Sequence, residues 1–192
     1  MNILNHIKER RTIRKFHQKK IPKSLLKKIL EAGRMAPSAH NVQPWRFVVI
    51  TDNKIRDCLV TRLKANSKKF LTSVQILVKK SLEILNGAPC IICVYDTEDF
   101  SKKLSFLGEP YISVIKLSEI ESISAAIQNM HLTASSLGIG FVWLIFPVLL
   151  QKEINRIIKV EDKLTAVLAM GYPAEKPKKT SRKTLKEISL FI

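Results

Sequence analysis

The hydrophobic positions along the chain fall into two rhythms. Ile3, Leu4 and Ile7 recur at helical spacing and predict a short helix over residues 2–11. After Ile21-Pro22-Lys23-Ser24, the stripe Leu25, Leu26, Ile29 and Leu30 predicts a second helix running to Gly33, a residue suited to its end. Further helical patterns cover residues 54–64, 74–85 and 150–158. Residues 123–137 are the most helix-like: Ile123, Ile127, Met130 and Leu137 keep helical spacing with alanines between them, and Gly138 ends the run. Apolar on much of its surface, this is expected to be the central buried helix. Short, unbroken apolar runs predict strands at residues 46–50, 90–95, 141–146 and 164–170. Residues 97–122 are expected to be irregular, a mobile cover, and residues 174–192 a basic tail that ends hydrophobically. Four short strands among long helices favour an α+β sandwich over a doubly wound sheet.

Composition narrows this picture. A chain of 192 residues, 46% hydrophobic and 26% charged, fits one globular domain spanning residues 1–192, with no internal repeat or Gly/Ser linker to divide it. No apolar run reaches the ~20 residues that span a bilayer, and the first residues lack a signal-peptide apolar core, so a cytoplasmic protein without membrane association is expected. Three cysteines argue against a disulfide framework. Cys90 and Cys93 stand three apart in a predicted strand, which points them to opposite faces and excludes a shared bridge or metal. The net charge of +17 permits nucleic-acid binding. The lysines are nevertheless dispersed, with no interleaved aromatic platform, and read as a solvated surface rather than a specific nucleic-acid interface.

Three clusters carry candidate chemistry. In Arg10-Arg11-Thr12-Ile13-Arg14, a helical turn would aim Arg10 and Arg14 at one point, where guanidinium forks and the Thr12 hydroxyl suit a phosphate. In the segment from Ala36 to Trp45, Pro37 and Pro44 bracket small and amide-bearing residues, and Gln43 is expected to be extended because a proline follows it. Such a segment suits the polar edge of a ring ligand. The third cluster is Ser136-Leu137-Gly138-Ile139-Gly140-Phe141-Val142-Trp143-Leu144, with Arg182 downstream. Its glycines follow a helix and precede a strand, the reverse of the dinucleotide fingerprint. No metal site is present, and no catalytic acid, base or nucleophile set accompanies these clusters. The pattern suggests that a cofactor carries the chemistry, and no side chain is expected to be catalytic.

In this order the clusters resemble the nitroreductase family. The matches are Arg10-Arg11-Thr12-Ile13-Arg14-Lys15-Phe16, Ile29-Leu30-Glu31-Ala32-Gly33-Arg34, residues 36–49, residues 126–140 and Ala169-Met170-Gly171-Tyr172-Pro173. The resemblance implies an α+β fold with a central antiparallel or mixed sheet flanked by helices, an intertwined homodimer, and FMN held between the subunits. It assigns Arg10, Arg11, Thr12 and Arg14 to the flavin phosphate, ribityl chain and pyrimidine edge, with Arg182 completing the phosphate site. It assigns Pro37, Ser38, Ala39 and Asn41 to a loop reaching the flavin bound mainly by the partner. Leu144 and Ile145 fall near the flavin ring and its N5, where the family often carries Trp-Ile-Gly and this chain has Trp143-Leu144-Ile145. The implied activity is oxidation of NADH or NADPH through FMN, with electrons passed to a nitroaromatic, a quinone or a similar small acceptor. Reductive dehalogenation, flavin-consuming chemistry and, in another class, nucleic-acid binding are the alternatives.

Overall fold

The computed structural model describes residues 2–192. Helix α1 (Ile3–Glu9) begins where the Asn2 side chain accepts from the Leu4 amide. It stops short of the expected boundary at residue 11: the chain turns extended at Arg10 and continues so to β1 (Phe16–His17), a strand too short for periodicity to reveal. Helix α2 (Lys23–Arg34) contains Gly33 rather than ending on it. There the missing side chain matters for packing, since a Cβ on Gly33 would lie 2.8 Å from Met130 Cγ. Strand β2 (Trp45–Ile50), helices α3 (Asn53–Asn66) and α4 (Thr72–Gly87) and strand β3 (Cys90–Asp96) follow near the expected places.

Residues 97–122 are not the irregular cover expected. They form α5 (Asp99–Lys103), a 3-10 turn (Ser105–Leu107) and the first half of α6 (Tyr111–Ser136). The signal was masked because apolar residues lie on both faces of this half-helix. Glu119, Ser122 and Ile123 turn inward, whereas Tyr111, Val114 and Leu117 stay exposed. Helix α6 closes as predicted, with Gly138 at φ +71°, Ile139 N–H donating to the Ala134 carbonyl at 2.8 Å and Gly138 N–H to Ser135 at 3.1 Å. This paired arrangement satisfies the last carbonyls of a helix and favours glycine at its left-handed position. Strand β4 (Gly140–Leu144), α7 (Gln151–Ile158), β5 (Lys163–Pro173) and α8 (Leu185–Ile188) complete the chain. The expected strand 141–146 ends early because Ile145 leaves it and Pro147 opens a 3-10 turn (Phe146–Leu150).

Every strand pairing is antiparallel. Strand β5 is the hub: it pairs with β3 along Cys90↔Met170 to Asp96↔Lys163, with β4 along Gly140↔Gly171 to Leu144↔Val167, and with β1 at Phe16↔Pro173. Strand β2 lies outside β3. Both faces of the sheet are covered. Ile92, Val94, Leu168 and Met170 meet Leu26 and Ile29 of α2 and Ile123, Ile127 and Met130 of α6. Ile91, Tyr95 and Val167 meet Leu59 of α3, Leu82 of α4 and Ile154 of α7. Burial on both sides is why β3 and β5 read as continuous apolar runs rather than alternating ones. Cys90 and Cys93 belong to opposite cores, as their spacing required, and burial pushes each thiol up to about 12. Among the described residues, no helix is long and apolar enough to cross a membrane.

Two features of this frame give tests. Gly140 and Gly171 face each other across β4 and β5 beneath the segment from Ile13 to Phe16. A Cβ on Gly171 would stand 2.7 Å from Pro89 Cδ and 2.8 Å from Phe16 Cβ, neither of them the free end of a flexible chain. Gly171→Ala should therefore lower unfolding stability by about 1–3 kcal/mol, read from the denaturant midpoint; an unchanged midpoint would show that the segment does not pack as described.

The second test concerns two buried carboxylates, Asp96 and Glu119. Asp96 accepts from the Glu98 amide and Glu119 from the Ser101 amide, but each keeps one oxygen without a partner. Burial, reinforced by Glu119, pushes Asp96 up to about 6. An acid raised in the fold binds more protons folded than unfolded between its ordinary value and about 6, so stability falls as pH rises through that window and levels off above it. Asp96→Asn should therefore raise the thermal midpoint at pH 7.5, and the gain should shrink toward pH 4. A gain independent of pH would contradict the assignment.

Candidate functional site

The arginine segment reaches its position because α1 stops. Past Glu9 the chain runs extended, the Ile13 amide donates to the Phe141 carbonyl at 3.1 Å, and Ile13 and Phe16 bury against the sheet. This geometry overturns the helical turn expected to converge Arg10 and Arg14. Arg14 is exposed, with its backbone amide donating to the Glu175 carboxylate at 2.5 Å. Arg10 and Arg11 instead gather with Arg182 around a cavity of about 550 Å³, whose rim also carries Lys8, Lys179, Thr180 and Ser181. Arg182 donates to the Thr180 hydroxyl at 2.7 Å, and Arg11 donates to the Lys8 and Arg10 carbonyls at 2.9 Å each.

The electrostatics of this cavity are one-sided. Five ion pairs occur among the described residues, and none includes Arg10, Arg11 or Arg182. Burial, then Arg182, then Arg11 lower the Arg10 pKa from its ordinary value, which is the mark of a cation held among cations. Guanidinium forks with neighbouring hydroxyls and no carboxylate are a donor set for a phosphate or similar anion. Below them lies His131 of α6, a buried ring 3.3 Å from the Arg10 guanidinium and stacked on Phe141 with centroids 4.5 Å apart. Sequence reading missed His131, Lys8 and the Lys179-Thr180-Ser181 run. The available signal was a lone histidine on an otherwise apolar helix stripe.

The second cluster forms a tight, strained loop. Its centre is a 3-10 turn (Ala39–Asn41), and His40, Asn41 and Gln43 all adopt positive φ, between 48° and 56°. Gln43 was expected to be extended before Pro44. Instead its amide is drawn to the Ser38 hydroxyl at 3.1 Å, a local bond that overrides the preference. The loop is tied down from three sides. Ala39 N–H donates to Ser122 Oγ of α6, Thr97 N–H to the Pro44 carbonyl, and the His40 ring rests on Phe100 at 5.5 Å. Non-glycine residues held in this region concentrate where geometry serves function.

The structure does not unite all the predicted residues. Arg10, Arg11 and Arg182 share one cavity; Thr12, Arg14, Pro37, Ser38, Ala39, Asn41, Leu144 and Ile145 are not among its walls. Pro37 and Asn41 are exposed at the strained loop, and that loop meets α6 at Ser122, well N-terminal of His131. Leu144 is buried at the end of β4, while Ile145 is exposed. A roomier cavity of about 710 Å³, between α2 and β2, is lined by Leu30, Trp45 and Phe47 under a charged rim and includes none of the predicted residues.

Comparison with known proteins agrees with this frame. The sequence profile described as the Nitroreductase family matches residues 7–172, most of the chain. A Bacillus subtilis (strain 168) protein provisionally named NAD(P)H nitroreductase YfhC is 27% identical over 187 residues, covering 94% of this chain and 89% of that protein. The iodotyrosine deiodinase of Thermotoga neapolitana is 28% identical over 180 residues, covering 89% of each. A provisionally named nitroreductase of Desulfovibrio desulfuricans, solved in complex with FMN, superposes with a TM-score of 0.76 at 26% identity, over 100% of this chain and 97% of that one. With its arginine segment, glycine-paired strands and long α6 all inside the matched region, the chain belongs to the nitroreductase family.

Proposed function

We propose that this chain is an FMN-dependent oxidoreductase that takes electrons from NADH or NADPH and delivers them to a nitroaromatic, a quinone or a similar small acceptor. The observation that carries this reading is the cavity in which Arg10, Arg11 and Arg182 stand together without a carboxylate partner. That donor set fits the phosphate of FMN. When bound, FMN supplies the hydride and electron transfer that no side-chain set in the chain could provide. Arg10, Arg11 and Arg182 hold the phosphate, and the Thr180 and Ser181 hydroxyls add donors. Thr12 and Arg14 serve the ribityl chain and pyrimidine edge, and Leu144 and Ile145 lie toward the ring. The whole of residues 1–192 forms the one domain this requires.

The remaining residues come from a second copy of the chain. Pro37, Ser38, Ala39 and Asn41 sit on a loop remote from the arginine cavity of their own chain, as a loop serving the partner's flavin would. The long helix has two parts. Ile123, Ile127 and Met130 are buried in their own chain's core, and the exposed apolar stripe lies at Tyr111, Val114 and Leu117. Leu185, Ile188, Leu190 and Phe191 of the tail are also exposed. Such apolar surface on one chain is the kind that association covers.

Reductive dehalogenation of a halogenated aromatic is the second reading, favoured by the similarity to a protein named iodotyrosine deiodinase. Anaerobic turnover with a nitroaromatic, a quinone and an iodinated phenol, followed by product analysis, separates the two; halide release without nitro or quinone reduction would replace the first reading.

Two outcomes test the binding site itself. The protein should purify with stoichiometric FMN, and Arg10→Ala or Arg182→Ala should each weaken FMN by about 1.5–3 kcal/mol, the worth of a hydrogen bond to a charged group. Wild-type affinity in both variants would remove the phosphate from this cavity. Because a ligand that binds only the assembled state stabilises assembly, dilution should release flavin as monomer forms. Sedimentation read at the flavin band would expose the error if a stable monomer kept tightly bound FMN.

A further inference from the structure

His131 has a hydrogen-bonding conflict that the proposed role of the cavity explains. Its Nε2 lies 3.3 Å from Arg10 Nη1 and 3.4 Å from the Arg11 carbonyl oxygen. A neutral imidazole nitrogen either accepts or donates. As an acceptor, Nε2 takes a hydrogen bond from Arg10 and leaves the Arg11 carbonyl without it. As a donor, it holds the Arg11 carbonyl and turns its proton on the Arg10 guanidinium. The two contacts therefore exclude each other, and the ring is a two-position element under the arginine cluster.

The surroundings decide which position the ring favours before a ligand binds. His131 is 6% exposed and stacked on Phe141, so a charge there is poorly solvated. Burial first, then Arg10, push the ring down to about 4, against the pull of the Arg11 carbonyl. Of the elements packed against α6 on this side, α1 carries His6, Lys8 and Glu9, the following segment contributes Arg10 and Arg11, and β4 places the uncharged Phe141 on the ring. Cys90 of β3 shares the core on this side of the sheet. Charged groups of α2 (Lys27, Lys28, Glu31 and Arg34) line the separate larger cavity, and α5 carries Asp99, Lys102 and Lys103 near the distant end of α6. The balance is cationic, so these protein groups alone favour a neutral, accepting Nε2. A dianion among the arginines reverses that balance.

We propose that His131 is a positioning residue for Arg10, holding its guanidinium toward the cavity through a neutral Nε2, and that binding of a phosphate dianion raises the proton affinity of the ring, so that below its raised midpoint the ring takes a proton from solvent and changes its partner to the Arg11 carbonyl. This rests on the reading of the cavity as a phosphate site. Reciprocity then requires that phosphate binding strengthen as pH falls through the range in which the bound-state ring titrates.

The test uses the full chain labelled with ¹⁵N-histidine, before and after flavin removal, with ring protonation and tautomer followed by NMR across pH. The probes are FMN, inorganic phosphate and riboflavin, the last lacking the phosphate. Without ligand the His131 ring should be neutral at pH 7 with Nε2 unprotonated. FMN and inorganic phosphate should both raise its titration midpoint by at least about one pH unit, an equivalent tenfold change in proton affinity, and riboflavin should not. His131→Gln, whose amide can accept from Arg10 and donate to the Arg11 carbonyl at once, should bind FMN with near wild-type affinity at pH 7. His131→Leu should bind it at least tenfold more weakly, and the wild-type ring titration decides the matter if that variant does not fold. FMN binding that Arg182→Ala weakens, combined with a ring midpoint unmoved by FMN or a protonated Nε2 in the empty site, would overturn the role of His131 alone. FMN binding insensitive to Arg182→Ala would instead defeat the phosphate reading on which it rests.

Discussion

Strand β5 is the constraint on which the rest of the molecule hangs. It takes hydrogen bonds from β3, β4 and β1, and so fixes in one element the core, the exit from α6 and the start of the arginine segment. Its C-terminal end is where these demands meet. Gly171 opposes Gly140, and only two adjacent residues without side chains leave room for Ile13 and Phe16 to lie across them. That crossing carries Arg10 and Arg11 to the edge of the sheet, beside a C-terminal segment that brings Arg182 from the far end of the sequence. The cationic cavity is thus a product of backbone packing at the place where α1 ends.

Gathering three guanidinium groups without a carboxylate is unfavourable for the isolated chain. The depression of Arg10 shows the direction of that cost. Natural folds tolerate such repulsion where a ligand supplies the missing charge, because the interaction withheld from the empty protein becomes available on binding. The chain also shows restraint at this place. Glu175 is nearby, yet its carboxylate is committed to the Arg14 and Lys15 amides, where it holds the segment extended instead of neutralising the arginines.

Much of the frame was legible because periodicity and burial agree. The apolar runs of β3 and β5 and the stripe of α2 follow from a sheet covered on both faces, and Gly138 marked the end of α6 by its backbone alone. The first half of α6 was hidden for the opposite reason: Tyr111, Val114 and Leu117 give it a second apolar face that core packing does not explain. At the site, residue identity pointed to Arg10, Arg11 and Arg182, but their geometry was misread. Four-residue spacing suggested a helical convergence of Arg10 and Arg14, whereas the Ile13–Phe141 backbone bond keeps the segment extended. His131 stood out only as a lone histidine on an apolar stripe, and its role was hidden because its partners lie more than a hundred residues away in sequence.

The strained loop around His40, Asn41 and Gln43 has a consequence for how this protein can vary. Left-handed backbone at three of four successive positions is a conformation the local sequence would not choose, at a cost of order 1–3 kcal/mol for each outlier, least for His and Asn. Anchors outside the loop impose it: the Ser122 hydroxyl, the Thr97 amide and the Phe100 ring. Glycine at any of the three positions would relieve local strain but widen the set of shapes open to the loop once an anchor fails. A β-branched residue would be excluded outright. The loop and its anchors therefore form one unit of variation, in which a change at Ser122 or Phe100 alters what residues 40–43 can be.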